Sequence, residues 1–288
     1  MKTLQGLVED AFDTVESGYY DAATTLGSDS TSEYTETGTG SHGRPSLVES
    51  INGKAGKAII CEIKFASPSS GRINDRHDEV SQIARTMESA GAAGLSVLTE
   101  PKNFSGSLAN LKTARISTNL PIIMKDIVVS PEQIKTASRL GASAILFIQE
   151  IFSLGYAKQS LTLPDAIRFA KKEDLEVIVE THSEEGIKEV AKLDCDIIGI
   201  NNRDLKTFKT TIDTTIDLIS QSSFVCTALN RLIMSESGFE SAQDIDYILK
   251  KLKDRGSPAP KAFLIGTSIM RSPDIQSKVR EFTEGFGG

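Results

Sequence analysis

Two residues of opposite charge stand at the end of an early apolar run. Glu62 and Lys64 flank Ile63 and follow the residues AIIC at 58–61. Residues two apart in a β-strand point to the same face, so both side chains leave the strand on one side. Because an unpaired charge beside the core is costly, the two residues form either a structural ion pair or part of a chemical site. This segment alone leaves both interpretations open.

Similar strand ends recur along the chain. The charged or amide side chains that follow apolar runs are Glu62, Lys64, Lys125, Glu180, Asn201 and Glu236. Charged residues are seldom buried unless they have a partner. One such end is explained by an ion pair, but two lysines, three glutamates and an asparagine together predict a functional site.

These residue types suit proton transfer. An ammonium group in a partly desolvated site can act as an acid or bind an anion, and we predict these roles for Lys64 and Lys125. Glu180 is the natural general base. Glu62 can hold a lysine ammonium in its charged form, because a nearby opposite charge favours ionisation.

Other strand ends carry groups suited to an anionic, aromatic ligand. Gly238 and the pair Gly266–Thr267 follow the last two apolar runs. Backbone N–H groups at a helix start bind phosphate, and an ordinary glycine turn is the alternative. Phe104 and the apolar run 145–148 predict a flat wall for an aromatic ring. The donors available for a carboxylate are Ser67, Asn201 and Arg203.

The intervening pattern predicts how these groups are brought together. Apolar runs typical of strands lie at 58–63, 93–98, 121–124, 143–148, 175–179, 195–200, 231–235 and 261–265. Helical patterns lie between them, and this alternation predicts a parallel sheet. No Gly-x-Gly-x-x-Gly follows the first run, which argues against a dinucleotide-binding sheet. The near-uniform repeats favour an α/β fold of the (β/α)₈ TIM-barrel type, whose active site lies at the carboxyl ends of the strands.

The chain is predicted to be a single domain, with an N-terminal helical extension over 1–56 and the barrel over 57–288. Residues 4–18 have the spacing of an amphipathic helix, which we expect to pack on one end of the barrel. The Ser-, Thr- and Gly-rich stretch 24–46 is predicted to be a loop that helps to cover the site.

Composition narrows the class of protein. The net charge is −7 and no basic run concentrates the 32 Lys and Arg residues, so no nucleic-acid partner is expected. No apolar stretch reaches the length of about 18 residues that predicts a membrane span. The three cysteines are scattered and the three histidines lack ligand-spaced partners. We therefore expect a cytoplasmic protein with reduced thiols and no metal site.

The motifs at these strand ends resemble those of the indole-3-glycerol phosphate synthase family. The matching segments lie at 62–71, 96–107, 120–126, 176–185, 197–208, 235–238 and 263–270, in the family's order. The resemblance implies a (β/α)₈ barrel with an N-terminal extension and a carboxy-lyase of tryptophan biosynthesis that uses no cofactor. The reaction it implies closes the indole ring of a small-molecule substrate, 1-(2-carboxyphenylamino)-1-deoxyribulose 5-phosphate, with loss of CO₂ and water. Other enzymes of the tryptophan pathway remain open as partners.

The resemblance also implies residue roles. Lys125 corresponds to the general acid that protonates the ribulose carbonyl. Glu62 is similar to its ion-pair partner, so we expect Glu62 to pair with Lys125 rather than with Lys64. Glu180 and Lys64 correspond to the groups that perform the later proton transfers. The phosphate-binding set is Lys64, Gly238, Gly266 and Thr267. The substrate-orienting set is Ser67, Asn201, Arg203, Glu236 and Ser237, to which the predicted aromatic wall adds Phe104.

Three positions depart from the family's pattern. Phe65 stands where a basic residue is common, Ile127 where an aromatic is usual, and Thr267 where Ser or Glu is commoner.

Two other functions also stay open. A barrel like phosphoribosylanthranilate isomerase needs a Cys base on the first strand and an Asp acid on the sixth, where Asn201 stands here. A catalytically inactive barrel that serves as a binding subunit would be expected to lose a charged strand end, and none is lost.

Overall fold

The structure, a computed structural model, describes residues 3–21, 43–54, 56–153, 155, 161–204, 207, 209–221 and 231–285. Its strands are β1 (Ala58–Ile63), β2 (Ala66–Ser67), β3 (Gly71–Arg72), β4 (Gly94–Leu98), β5 (Ile122–Lys125), β6 (Ala144–Ile148), β7 (Glu176–Thr181), β8 (Ile197–Asn201), β9 (Leu232–Glu236) and β10 (Ala262–Ile265). In this part of the chain β1 pairs in parallel with both β4 and β10, which closes a barrel of eight strands. The predicted (β/α)₈ TIM barrel is confirmed.

Helices surround the barrel and precede it. They are α1 (Leu4–Glu16), α2 (Leu47–Asn52), α3 (Val80–Ser89), α4 (Pro101–Phe104), α5 (Leu108–Ser117), α6 (Pro131–Arg139), α7 (Gln149–Ser153), α8 (Leu163–Lys172), α9 (Glu184–Val190), α10 (Asp213–Gln221), α11 (Ala242–Asp254), α12 (Thr267–Arg271) and α13 (Ile275–Glu284). At the start of many helices, a Ser, Thr or Asp side chain accepts a hydrogen bond from a backbone N–H of the first turn. Ser107 before α5 and Ser183 before α9 are examples.

The alternation of side chains along the strands builds two apolar clusters. The inner cluster fills the barrel and includes Ile60, Ile123, Ile178 and Met234. The outer cluster lies between strands and helices and includes Cys61. Because residues two apart share a face, the side chain that follows each inner residue by two positions points into the barrel at its carboxyl end. This rule places Glu62, Lys125, Glu180 and Glu236 at one mouth of the barrel.

The N-terminal segment lies against the barrel. Helix α1 begins after Thr3, whose side chain accepts the Gly6 N–H. Its buried residues Leu4, Val8 and Ala11 join the inner cluster. The helix is two residues shorter than the predicted 4–18. Most of the predicted loop 24–46 lies outside the described residues, and the division into an extension over 1–56 and a barrel over 57–288 stays a prediction.

Candidate active site

Lys125, at the end of β5, is surrounded by carboxylates. Its Nζ lies 2.8 Å from Glu236 Oε2 and 3.6 Å from both Glu62 Oε2 and Glu180 Oε2. We call these four residues the lysine–glutamate cluster. Burial alone would lower the pKa of Lys125, but the charges of Glu236, Glu62 and Glu180 overcome burial and raise it. The cluster therefore holds Lys125 as an ammonium that can give a proton to a basic oxygen.

Glu62 binds both of the predicted lysines. Its Oε1 lies 2.5 Å from Lys64 Nζ, and its Oε2 lies 3.6 Å from Lys125 Nζ. Burial would raise the pKa of Glu62, but Lys64 and Lys125 overcome burial and lower it. The expectation that Glu62 pairs with Lys125 rather than with Lys64 was wrong in its second part. Lys64 is the closer partner because its side chain leaves the same face as that of Glu62.

Glu236 lies deeper than the sequence suggested. Its side chain is fully buried, and it does not line the cavity at the mouth of the barrel. Burial raises the pKa of Glu236 to about 8, with Lys125 opposing this shift and Glu180 adding to it. A Cβ on Gly199 would lie 2.3 Å from Glu236 Oε1, so only glycine leaves room for the carboxyl group. Its predicted substrate-binding role stays a prediction, while its position supports a role through Lys125.

Glu180 is held from β8. Asn201 Nδ2 donates to Glu180 Oε1 at 2.8 Å, and Asn201 Oδ1 accepts from the Arg203 N–H at 2.9 Å. Glu180 Oε2 has no hydrogen-bond partner among the described residues, and the whole side chain is buried. One oxygen is therefore fixed and the other is available to accept a proton. Asn201 contacts the predicted base, Glu180, directly, which the sequence could not show.

The glycine side of the mouth is built on β9 and β10. Asn202 Nδ2 donates to the Ser237 carbonyl at 3.0 Å, and its Oδ1 accepts from Thr215. Ser237 and Gly238 both have positive φ, at 70° and 91°. A Cβ on Gly238 would lie 2.9 Å from Thr210 Cγ2. Position 238 therefore requires glycine for two reasons, its positive φ and the lack of space for a side chain.

Gly266 completes the same side of the mouth. It precedes the short helix α12, and a Cβ there would lie 2.5 Å from Glu62 Oε1. The bare backbone thus approaches the lysine–glutamate cluster closely. Gly238, Gly266 and Thr267 all line the cavity, while their predicted binding of phosphate stays a prediction.

The cavity has a volume of about 380 Å³. Every predicted site residue except Glu236 lines it, namely Glu62, Lys64, Ser67, Phe104, Lys125, Glu180, Asn201, Arg203, Ser237, Gly238, Gly266 and Thr267. Its apolar side includes Phe104, Ile127 and Ile148. One polar end, one apolar side and a charged floor are what a ligand with an anionic group and an aromatic ring requires.

Some lining residues were not identified from the sequence. Leu4 and Leu7 of α1 and Arg271 of α12 all line the cavity. The apolar spacing of α1 predicted a buried face, but helical periodicity does not show which surface that face covers. Arg271 follows the Gly266–Thr267 turn by one helical turn, and this spacing was the available signal.

Within the described ranges, no group of three or more His, Cys, Asp or Glu side chains is arranged to hold a metal ion. None of the helices in the described part of the chain has the length and apolar character needed to cross a membrane.

The fold and the site define a (β/α)₈-barrel enzyme with lysine and glutamate side chains clustered at the carboxyl ends of its strands. The chain belongs to the indole-3-glycerol phosphate synthase family, since the model of that family matches residues 29–282. It is 43% identical over 225 residues to the indole-3-glycerol phosphate synthase of Methanocaldococcus jannaschii, covering 78% of this chain and 77% of the relative. The corresponding enzyme of Koribacter versatilis is 39% identical over 228 residues, covering 79% and 80%. The predicted family and enzyme class, a carboxy-lyase of tryptophan biosynthesis, are confirmed.

Solved structures with much lower identity share the fold. The N-acetylmannosamine-6-phosphate 2-epimerase of Clostridium perfringens superposes with a TM-score of 0.58 at 13% identity, covering 81% of this chain and 95% of that one. A Schiff-base-forming fructose-1,6-bisphosphate aldolase gives 0.54 at 16% identity, covering 83% and 99%. These similarities support the barrel architecture alone.

Proposed function

We propose that this protein closes the indole ring of 1-(2-carboxyphenylamino)-1-deoxyribulose 5-phosphate and releases CO₂ and water. The observation that carries the proposal is the placement of Lys125 among three carboxylates at the floor of a cavity with one apolar and one glycine-lined side. Membership of the synthase family supports the same reaction.

The first step is an acid-catalysed ring closure. The aromatic carbon that bears the carboxylate attacks the ribulose carbonyl, and the Lys125 ammonium donates a proton to the carbonyl oxygen as the new carbon–carbon bond forms. Loss of CO₂ then returns the bond electrons to the ring. Glu62 keeps Lys125 charged for this donation, because its negative charge opposes the effect of burial and raises the pKa of Lys125.

The second step removes water. Glu180 accepts the proton that leaves the intermediate through Oε2, which has no hydrogen-bond partner among the described residues, and Lys64 donates a proton to the departing hydroxyl. Asn201 supports this assignment because it fixes the other oxygen of Glu180 at 2.8 Å. Lys64 lies 2.5 Å from Glu62, and its ammonium group also attracts the substrate phosphate.

The remaining lining residues orient the substrate. The phosphate lies against Gly238, Gly266 and Thr267, and the anthranilate ring lies against Phe104. Its carboxylate is bound by Ser67, Arg203 and Ser237 before it leaves as CO₂. Partial burial lowers the pKa of Arg203 although Glu62 and Glu180 oppose the shift, and a guanidinium can bind a carboxylate through two parallel hydrogen bonds.

Helix α1, within the predicted N-terminal extension over 1–56, covers the apolar side of the cavity in this proposal. Leu4 and Leu7 support it, because both line the cavity from α1. We further propose a cytoplasmic location, which the free, buried thiols of Cys61 and Cys195 support. Contacts with other tryptophan-pathway enzymes remain a prediction.

The direct test follows the indole product. The purified chain is mixed with the anilino-deoxyribulose phosphate, and indole fluorescence and released CO₂ are recorded together. The proposal predicts one CO₂ for each indole formed. Folded protein that forms no indole would rule the proposal out and favour an inactive barrel. Turnover of phosphoribosylanthranilate instead would favour the isomerase alternative.

A further inference from the structure

A tyrosine of the N-terminal segment reaches the strand end that carries Lys125. The Tyr20 hydroxyl donates to Asp126 Oδ2 at 2.9 Å, across 106 positions of the chain. Tyr20 is 2% exposed, and it follows α1 by four residues. Asp126 directly follows Lys125. The segment that contributes Leu4 and Leu7 to the cavity is thus bonded to the residue next to the predicted acid.

The Asp126 carboxylate accepts hydrogen bonds from four residues. Besides Tyr20, the Thr99 hydroxyl donates to Oδ2, while the Ile127 N–H and Gln133 Nε2 donate to Oδ1 at 2.8 and 3.3 Å. Burial raises the pKa of Asp126 to about 7, and the hydrogen bonds from Thr99 and Tyr20 oppose this shift. A buried carboxylate needs such donors to stay ionised. The hydrogen bond from the Tyr20 hydroxyl therefore helps to keep the Asp126 carboxylate ionised.

The same network holds the backbone of Lys125. The Thr99 N–H donates to the Lys125 carbonyl at 3.0 Å, while the Thr99 hydroxyl binds the Asp126 carboxylate. Gln133 Nε2 donates to Tyr20 Oη at 3.1 Å and to the Ile127 carbonyl at 2.9 Å. The residues on either side of the Lys125–Asp126 peptide are therefore bound into one buried network.

Tyr19 anchors the same segment without joining that network at Asp126. Its hydroxyl donates to the Thr99 carbonyl at 3.2 Å and accepts from the Leu108 N–H at 3.1 Å. The rings of Tyr19 and Tyr20 pack edge to face, 5.0 Å apart. The two neighbours make similar anchoring bonds, but only Tyr20 contacts Asp126. This difference gives a matched control.

We propose that Tyr20 and Asp126 are positioning residues that set the place of the Lys125 ammonium for ring closure. The proposal rests on the proposed function. Tyr20 does not line the cavity, so it acts through Asp126 and not on the substrate. The donors of Asp126 add to the strand pairing of β5 in fixing the backbone at the base of the Lys125 side chain. Loss of one donor lets this backbone shift, and displacement of a catalytic group by about 1 Å can cost up to about 10²-fold in rate.

The test compares Tyr20→Phe with Tyr19→Phe in steady-state indole formation. Tyr20→Phe removes one hydroxyl and keeps the ring, so we expect kcat to fall about 5- to 20-fold with KM within about twofold of the wild type, the pattern of lost transition-state stabilisation. Tyr19→Phe is expected to leave kcat within about twofold. A merely structural anchor would change thermal stability or KM alike in both variants and leave kcat unchanged, and that result would overturn the proposal.

A second variant shows whether Tyr20 acts through Asp126. Asp126→Asn keeps the size of the side chain but places an amide where donors converge, so its kcat is expected to fall as well. If the two residues act as one unit, the double variant has the kcat of Asp126→Asn alone, because coupled positions are not additive. Independent, multiplying losses would contradict the proposal. Circular dichroism at the assay temperature confirms that each variant is folded. Indole formation by the wild type separates failure of this inference from failure of the proposed function.

Discussion

Oε2 of Glu236 lies 2.8 Å from Nζ of Lys125, closer than any other carboxylate oxygen of the cluster. Glu236 is fully buried, and Oε1 has no hydrogen-bond partner among the described residues. The predicted acid, Lys125, therefore contacts a carboxyl group, that of Glu236, whose own protonation depends on pH.

Glu236→Gln should change how stability depends on pH. Because burial raises the pKa of Glu236 to about 8, the folded protein holds a proton that the unfolded chain loses near the ordinary glutamate pKa. Stability from this group is complete at low pH and is lost as pH rises through about 8, with a slope of at most about 1.4 kcal/mol per pH unit. Glutamine does not titrate. In urea unfolding from pH 5 to 9, the free energy of unfolding of the variant should therefore rise relative to that of the wild type as pH increases.

The control for that series is Glu9→Gln, an exposed position on α1. Its stability should follow the wild type at every pH. A constant difference between Glu236→Gln and the wild type across the range would show that Glu236 does not titrate in this window.

Gly199→Ala should disturb the cluster without replacing any of its members. The added Cβ would lie 2.3 Å from Glu236 Oε1 and 3.3 Å from the Glu180 Cα, so the Glu236 carboxyl must move away from Lys125. We expect kcat to fall by about tenfold or more, because a displaced acid loses transition-state contact. Gly53→Ala, whose Cβ would meet nothing closer than 3.4 Å, is the control. Equal kcat for both variants would argue against a catalytic role of the Glu236–Lys125 contact.

Leu7→Ala should weaken substrate binding. Leu7 lines the cavity from α1 and is 3% exposed, so truncation removes apolar surface that would cover the anthranilate ring. Loss of such contact costs about 1–3 kcal/mol, which corresponds to a KM raised about 5- to 150-fold with kcat nearly unchanged. The adjacent Val8 is buried but does not line the cavity. Val8→Ala therefore controls for loss of packing, and an equal KM in both variants would contradict this role of α1.

The residues at the strand ends could be predicted from the sequence because the direction of a side chain in a strand depends only on its position along that strand. Side chains alternate along a strand, so Ile60 inside the barrel places Glu62 inside as well, and the same parity applies to Lys125 and Glu180. The depth of a side chain within the mouth depends on the stagger of neighbouring strands, which a single run does not encode. For this reason Glu236 was predicted to face the substrate, although the structure buries it beneath Lys125.

Long-range contacts of the N-terminal segment were also beyond the sequence. The pattern of α1 predicted an apolar face, but the bond from Tyr20 to Asp126 joins positions whose separation carries no periodic signal. The family resemblance supplied roles for the strand ends alone. Hence the covering residues and the positioning network emerged only from the structure.

The most direct test of the account is the rate of indole formation by Lys125→Met in a single turnover. Methionine keeps much of the side-chain length but gives no proton, so the account predicts a loss of at least about 10²-fold relative to the wild type. Lys102→Met, which removes an ammonium from the ion pair with Asp13 outside the cavity, should keep the wild-type rate. Near-normal indole formation by folded Lys125→Met would contradict the assignment of Lys125 as the acid that closes the ring.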